Sequence, residues 1–145
     1  MPLPQDANST AGTLLPAEFL VICLCAEWCG VCRDYKPGFL TLTTQFPDTR
    51  FCWFDIEERA DDLGELDIEN FPMIIIRRRR WVLFCGAIQP RLSHLKKLIG
   101  TFRQQTPDES LDYAHSNPER RSWQENQELH RLGRITELSP RQTFT

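Results

Sequence analysis

Residues 26–33 of the chain read AEWCGVCR, and they separate two segments of different character. Residues 19–25, FLVICLC, form a continuous apolar run that is typical of a strand buried on both faces. From Cys29 to Phe46, apolar residues recur every three or four positions, which predicts a helix. Pro37 lies inside this pattern and is expected to kink the helix. The two cysteines of the motif therefore stand where a buried strand ends and a helix begins.

The position of this cysteine pair predicts its chemistry. The first N–H groups of a helix have no partners within it, and the helix N-terminus carries a partial positive charge. Both effects favour a thiolate over a thiol, and the thiolate is the form that attacks a disulfide. Cys32 lies within one helical turn of Cys29, so the pair can close a small disulfide. We expect Cys29 to be the exposed nucleophile and Cys32 to be the buried thiol that resolves a mixed disulfide.

Two other uses of a cysteine pair remain as alternatives. A zinc site usually needs four ligands, with a second Cys/His pair at matching spacing. The remaining cysteines lie mostly inside predicted strands; they are Cys23, Cys25, Cys52 and Cys85. The histidines form no close pair; they are His94, His115 and His130. Strand alternation points Cys23 and Cys25 into the core, which disfavours a zinc or iron–sulfur site. A purely structural pair is the other alternative.

The rest of the chain predicts an α/β arrangement. Strands are expected at 50–56, 72–77 and 81–86, and helices at 57–66 and 91–102. With the first strand and helix, the order is β-α-β-α-β-β-α. Strands that alternate with helices and end in a hairpin indicate a mixed sheet with helices packed on its faces.

The two flanks differ from this central part. Residues 1–16 are poor in apolar side chains and carry three prolines, so they are interpreted as a lead-in. Residues 104–145 are polar, with a predicted helix start at Asn117-Pro118 and a predicted helix end at Gly133. The apolar residues between them, Trp123, Leu129 and Leu132, form only a weak stripe. We therefore expect a lead-in, a domain at residues 17–103, and an appended, partly helical tail.

Composition excludes several classes of protein. The chain has 145 residues, of which 41% are hydrophobic, and this is typical of one globular domain. A net charge of −3, from 17 basic and 20 acidic residues, argues against a dedicated nucleic-acid binder. No apolar run reaches the roughly 18 residues of a membrane span. The N-terminus lacks a basic start followed by an apolar segment, which predicts a cytoplasmic protein whose paired cysteines are catalytic or metal-binding.

Residues 26–33 resemble the active-site segment of thioredoxins, AEWCGPCK. Pro37 stands where thioredoxins carry the proline that kinks the active-site helix, and Phe71-Pro72 matches an Ile-Pro whose proline is cis and lies against the active-site sulfurs. Residues 85–87, CGA, match the VGA that ends the last strand. The resemblance covers residues 17–103. It implies a thioredoxin-like fold with about four strands, flanking helices and a truncated N-terminal β/α unit.

The resemblance also implies a function. The Cys29/Cys32 dithiol would exchange with protein disulfides, so the protein would be a dithiol–disulfide oxidoreductase, and a reductase would recharge it. A cis Phe71–Pro72 bond would leave the Phe71 backbone free to pair with a substrate in strand fashion. No metal or organic cofactor is implied, because the electrons reside in the dithiol. The residues expected to form the substrate-binding surface are Trp28, Gly30, Val31, Phe71 and Pro72.

Several residues depart from the family pattern. Cys23 stands where thioredoxins place a buried Asp, and Trp53 stands where they place its Lys partner. That Asp is thought to help deprotonate the resolving cysteine, so we expect a poorer general reductant than a housekeeping thioredoxin. Val31 replaces the proline between the cysteines, with no direction assigned to its effect on the reduction potential. Cys25 replaces an aromatic residue, and it is either a small core residue or an extra thiol that traps or relays a disulfide.

A run of four arginines, Arg77–Arg80, occupies the predicted hairpin between the last two strands. At least two of the four must point to water. The run is either a solvated hairpin tip or a docking patch for an anionic partner, nucleic acid or lipid headgroup. Together with the tail, it leaves open a second function. This alternative is a thioredoxin-fold interaction module with weak or vestigial redox activity, docking through the groove, the hairpin or the tail.

Overall fold

The computed structural model describes residues 17–64, 66, 68 and 70–137. The expected lead-in and truncated β/α unit at residues 1–16 lie outside the described residues, as do residues 138–145 of the predicted tail. The elements in chain order are β1 (Phe19–Cys25), α1 (Gly30–Gln45), β2 (Thr49–Asp55), α2 (Ala60–Leu63), β3 (Met73–Arg78), β4 (Trp81–Ala87), α3 (Leu92–Gln104), α4 (Pro107–Ala114), α5 (Pro118–Glu125) and α6 (Gln127–Glu137).

The strands form a mixed sheet in the order β2-β1-β3-β4. Strand β1 runs parallel to β2 and antiparallel to β3, and β3 forms an antiparallel hairpin with β4. Every residue of β1 is buried, as expected for a central strand covered on both faces. The predicted α/β class, with a mixed four-stranded sheet and flanking helices, is confirmed.

Side-chain alternation along β1 builds two cores. Phe19, Val21, Cys23 and Cys25 face a core that contains side chains of α1 and α3. The intervening leucine and isoleucine residues of β1 face a second core, which contains Leu63 and residues of α6. The end of β1 and the start of α1 therefore lie at the edge of the first core.

The helices after residue 104 begin at clear sequence signals. The Thr106 hydroxyl accepts a hydrogen bond from the Glu109 N–H, and the Glu109 side chain accepts one from the Thr106 N–H, which is a capping box at the start of α4. The Asn117 side chain accepts from the Arg120 N–H at 2.8 Å, so α5 begins where the sequence predicted a helix start.

The predicted helix end at Gly133 is wrong, because α6 continues through it to Glu137. Gly133 is buried, and a Cβ atom built on it would collide with the guanidinium of Arg77. The glycine therefore makes room for an arginine side chain and does not end the helix.

Residues of α6 fill the second face of the sheet. Leu129 is 1% exposed and Leu132 is 0% exposed, and both belong to the core that contains Leu20 and Ile22. The stripe that looked weak in the sequence therefore covers one side of the central strand.

The edge strand β4 is paired with a side chain. The Val82 N–H donates to Oε1 of Gln124 at 2.9 Å, and Nε2 of Gln124 donates to the Val82 carbonyl at 2.7 Å. Helices α4 and α5 both pack against β4. Nε2 also donates to the carbonyls of Ala114 and Arg120, so the same amide ties the strand to both helices.

The arginine run divides between strand and turn. Arg77 and Arg78 are buried within β3, while Arg79 and Arg80 form the exposed turn. Arg78 donates to Glu18 at 2.7 Å, to the Gln105 carbonyl at 2.9 Å and to the Ser110 hydroxyl at 3.0 Å. Arg78 therefore fastens the sheet to the start of α4.

Across the described segments, no helix combines the length and the apolar character that crossing a membrane requires.

Candidate functional site

Cys29 is the N-cap residue of α1. Its N–H donates to the Ala26 carbonyl at 3.1 Å, and its carbonyl accepts from the Arg33 N–H at 3.1 Å. Its extended backbone lets the chain turn from the end of β1 into the helix. Cys29 is half-buried, whereas Cys32, in the first turn, is 1% exposed. Of the two cysteines in the motif, the first reaches solvent and the second does not, as predicted.

The disulfide of the structure joins Cys32 to Cys25. Their Cα atoms are 5.7 Å apart, which is within the range that a disulfide spans. Cys29 is a free thiol, so the predicted Cys29–Cys32 bridge is not the one present. The physical reason is the location of Cys25, which ends β1 on the face that α1 covers, in the same core as Cys32.

An apolar surface surrounds Cys29. The side chains of Trp28 and Val31 are 60% and 43% exposed, which is unusual for large apolar residues. The Trp28 ring meets the Phe71 ring edge-on, with centroids 5.7 Å apart. Among the remaining predicted binding residues, Gly30 is exposed at the start of α1, and Pro72 is buried and preceded by a cis peptide bond. The structure thus brings Trp28 together with Phe71 beside the cysteine motif.

A groove of 360 Å³ continues this surface beyond Val31. Sequence reasoning did not identify its other lining residues, which come from α1 and from the segment that leads into α3: Asp34, Tyr35, Pro90 and Leu92. The spacing of Val31, Asp34 and Tyr35 could have indicated that they share one face of the predicted helix. No local pattern indicated that residues 90–92 would lie opposite.

Neutral groups occupy the interior beneath the motif. Cys23 is fully buried and lies opposite Trp53 in the β1–β2 register. Burial raises the pKa of Cys23 well above the ordinary value of a thiol, and Cys52 raises it further. Burial also raises the pKa of Tyr35, with a smaller contribution from Cys23. Both groups therefore stay protonated near neutral pH, and neither is a base for the motif.

The described residues contain no cluster of three or more His, Cys, Asp or Glu side chains that could hold a metal ion. The zinc or iron–sulfur alternative consequently has no ligand set in this part of the chain. Cys23 and Cys25, which cluster with the motif in sequence, are core residues.

Comparisons with known proteins identify the family of the chain. The thioredoxin family model matches residues 11–99. A thioredoxin H-type of Picea mariana is 40% identical over 50 residues, covering 34% of this chain and 40% of that protein. A putative thioredoxin 2 of Streptomyces coelicolor is 29% identical over 99 residues, covering 67% and 72%.

A solved structure gives the same answer for the fold. Mitochondrial thioredoxin 3 of Saccharomyces cerevisiae, in its oxidised form, superposes with a TM-score of 0.53 at 24% identity, covering 65% of this chain and 88% of that one. The chain spans about half the length of the first curated relatives it matches, between 40% and 53%. The family match extends over more than half of the chain and includes the cysteine motif. The chain belongs to the thioredoxin family.

Proposed function

We propose that this protein exchanges its Cys29/Cys32 dithiol with disulfides of other proteins. The observation that carries the proposal is the placement of Cys29, half-buried at the N-cap of α1 beside the exposed side chains of Trp28 and Val31. A protein disulfide that docks on this apolar surface meets the Cys29 thiol at the N-cap of α1.

The reaction has two steps. The Cys29 thiolate attacks one sulfur of the substrate disulfide, and the other substrate sulfur leaves as a thiol. Cys32 then attacks the Cys29 sulfur, which releases the second substrate thiol and leaves a Cys29–Cys32 disulfide. Two electrons pass to the substrate. Cys32 must therefore be reduced before a cycle begins, and a reductase partner would return both electrons.

The environment of Cys32 favours slow resolution. Cys32 is 1% exposed, and its sulfur accepts a hydrogen bond from the Ala26 N–H at 3.4 Å. The groups behind it, Cys23 and Tyr35, have raised pKa values and hold their protons. Among the residues that the structure describes, no carboxylate is buried to take the Cys32 proton, so the second step should limit turnover.

The docking-module alternative has weaker support. Of the arginine run, only Arg79 and Arg80 are exposed, and Arg79 pairs with Glu18 at 2.9 Å. An anionic partner would therefore meet a smaller positive patch than four charges would make. The apolar surface at Trp28 is the better candidate for partner binding.

Insulin reduction by the full chain, driven by a thioredoxin reductase, tests the proposal. We expect measurable turnover, slower than that of a housekeeping thioredoxin, with loss of turnover in Cys29→Ser. Cys85→Ala, which removes a half-buried thiol of β4 outside the motif, is the matched control and should retain turnover. Wild-type activity equal to that of Cys29→Ser would refute the proposal.

The direction of exchange is a separate measurement. Equilibration of the motif with glutathione should give a potential near the thioredoxin value of about −270 mV if the protein is a reductase. A value of roughly −120 to −180 mV would instead indicate an oxidase or isomerase.

A further inference from the structure

The motif contains one sulfur that two others can reach. Cys25 and Cys32 are joined, and their exposed fractions are 0% and 1%. Cys29 precedes Cys32 by three residues at the start of α1, and residues at this spacing lie on one side of a helix with Cβ atoms about 5–6 Å apart. Cys32 therefore has a buried neighbour at the end of β1 and a half-buried neighbour at the start of α1.

The remaining cysteine of β1 shows that location selects the partner. Cys23 lies on the same face of β1 as Cys25, is equally buried, and is a free thiol. It is two residues further from the end of the strand where α1 begins. The hydrogen bond from the Ala26 N–H to the Cys32 sulfur holds that sulfur beside the end of β1.

We propose that Cys25 is a third redox thiol of the site, which takes Cys32 from the Cys29–Cys32 disulfide and stores the oxidised bond in the core. This inference rests on the proposed function, which supplies the Cys29–Cys32 disulfide. The Cys25 sulfur attacks the Cys32 sulfur, so the Cys25–Cys32 bond forms and the Cys29–Cys32 bond breaks. Cys29 leaves with the electron pair and takes up the proton that Cys25 releases. The step is an isomerisation and consumes no oxidant.

Its direction follows from where the leaving sulfur goes. Cys29 departs at the start of α1, where it is partly exposed to solvent, whereas Cys25 and Cys32 stay in the core. The bond that remains is out of solvent, so an external thiol reaches it only after Cys29 attacks Cys32 in the reverse step.

The protein with the Cys25–Cys32 disulfide has two properties that do not occur together in a site with only two cysteines. The protein is oxidised, yet its half-exposed cysteine is a thiol. Such a thiol still attacks a disulfide, but Cys32 is engaged and does not resolve the product. A mixed disulfide with a small substrate such as glutathione disulfide should therefore accumulate at Cys29 in the oxidised protein.

Disulfide mapping of the full chain tests the inference. The wild-type protein is oxidised with diamide, alkylated at low pH, and cleaved after glutamate and arginine residues, which include Glu18, Glu27 and Arg33. This places Cys23 and Cys25 on fragment 19–27, and Cys29 and Cys32 on fragment 28–33. We expect the two fragments to be joined, with Cys29 alkylated. Cys23→Ala should keep the joined fragments, and Cys25→Ala should replace them with an internal bridge in fragment 28–33.

The outcomes separate this inference from the proposed function. An internal 28–33 bridge in the wild-type protein, with Cys25 alkylated, overturns the inference whatever the insulin assay gives. Joined fragments in a protein that reduces no insulin support the third thiol and refute the proposed function. Because the wild-type map needs no substitution, the test holds even if Cys25→Ala does not fold.

Discussion

Leu132 provides a test of whether the C-terminal helices belong to the cooperative core. Its side chain is 0% exposed in the core beneath β1. Leu132→Ala removes the equivalent of three methylene groups, worth about 2.4 kcal/mol of transfer free energy. Because β1 is held by strands on both sides, the cavity should close only in part, which adds roughly 0.5–1 kcal/mol. We expect a loss of about 3 kcal/mol in the free energy of unfolding.

Urea denaturation followed by circular dichroism measures this loss, and the melting temperature should fall by about 10 °C. The control is Leu111→Ala on α4, where the side chain is 36% exposed, and it should cost less than about 1 kcal/mol. Equal, small losses for the two variants, with unchanged denaturant dependence, would refute the argument. That result would mean that α6 does not unfold together with the sheet.

Three further predictions concern other contacts. Arg78→Ala should lower the free energy of unfolding by about 2 kcal/mol, because Glu18, the Gln105 carbonyl and the buried Ser110 hydroxyl all lose a charged donor. Arg80→Ala in the exposed turn should cost less than about 0.5 kcal/mol in the same urea titration. Gly100→Ala places a methyl group in open space on α3 and should raise the melting temperature. Gly133→Ala should lower the melting temperature, because the new methyl group displaces the buried guanidinium of Arg77. A rise in both variants would contradict this packing. Burial raises the pKa of Cys52 to about 12, so the folded state keeps a proton that the unfolded chain loses near pH ~8.5, and stability should fall between those values. Cys52→Ala should flatten this alkaline decline, and an unchanged pH profile would refute the assignment.

The sequence predicted those parts of the fold that local patterns determine. The apolar run of β1 and the periodicity of α1 located the motif, and Asn117-Pro118 located the start of α5. The predicted helix at 57–66 shortened to Ala60–Leu63, because few of its residues face a core. Helix length there depends on tertiary packing, which a local pattern does not contain.

The burial of the two motif cysteines was predictable from the sequence, but their bonding was not. The motif spacing identified Cys29 as the accessible thiol and Cys32 as the buried one. Whether Cys32 bonds to Cys29 or to Cys25 depends on how the end of β1 meets the first turn of α1, and that is a distance between elements. The same limit applies to Leu129 and Leu132. Their helix is mostly polar, and its sequence does not show that these two side chains pack against a face of the sheet.

The pairing of Gln124 with Val82 has a consequence for assembly. A sheet accepts a further strand through unpaired backbone groups at its edge, and proteins usually guard such edges with charge, proline or a bulge. Gln124 blocks this edge at Val82 because its side-chain amide offers the same donor and acceptor as a backbone peptide unit. At Val82 the sheet therefore already has its next neighbour, supplied by a helix of the same chain.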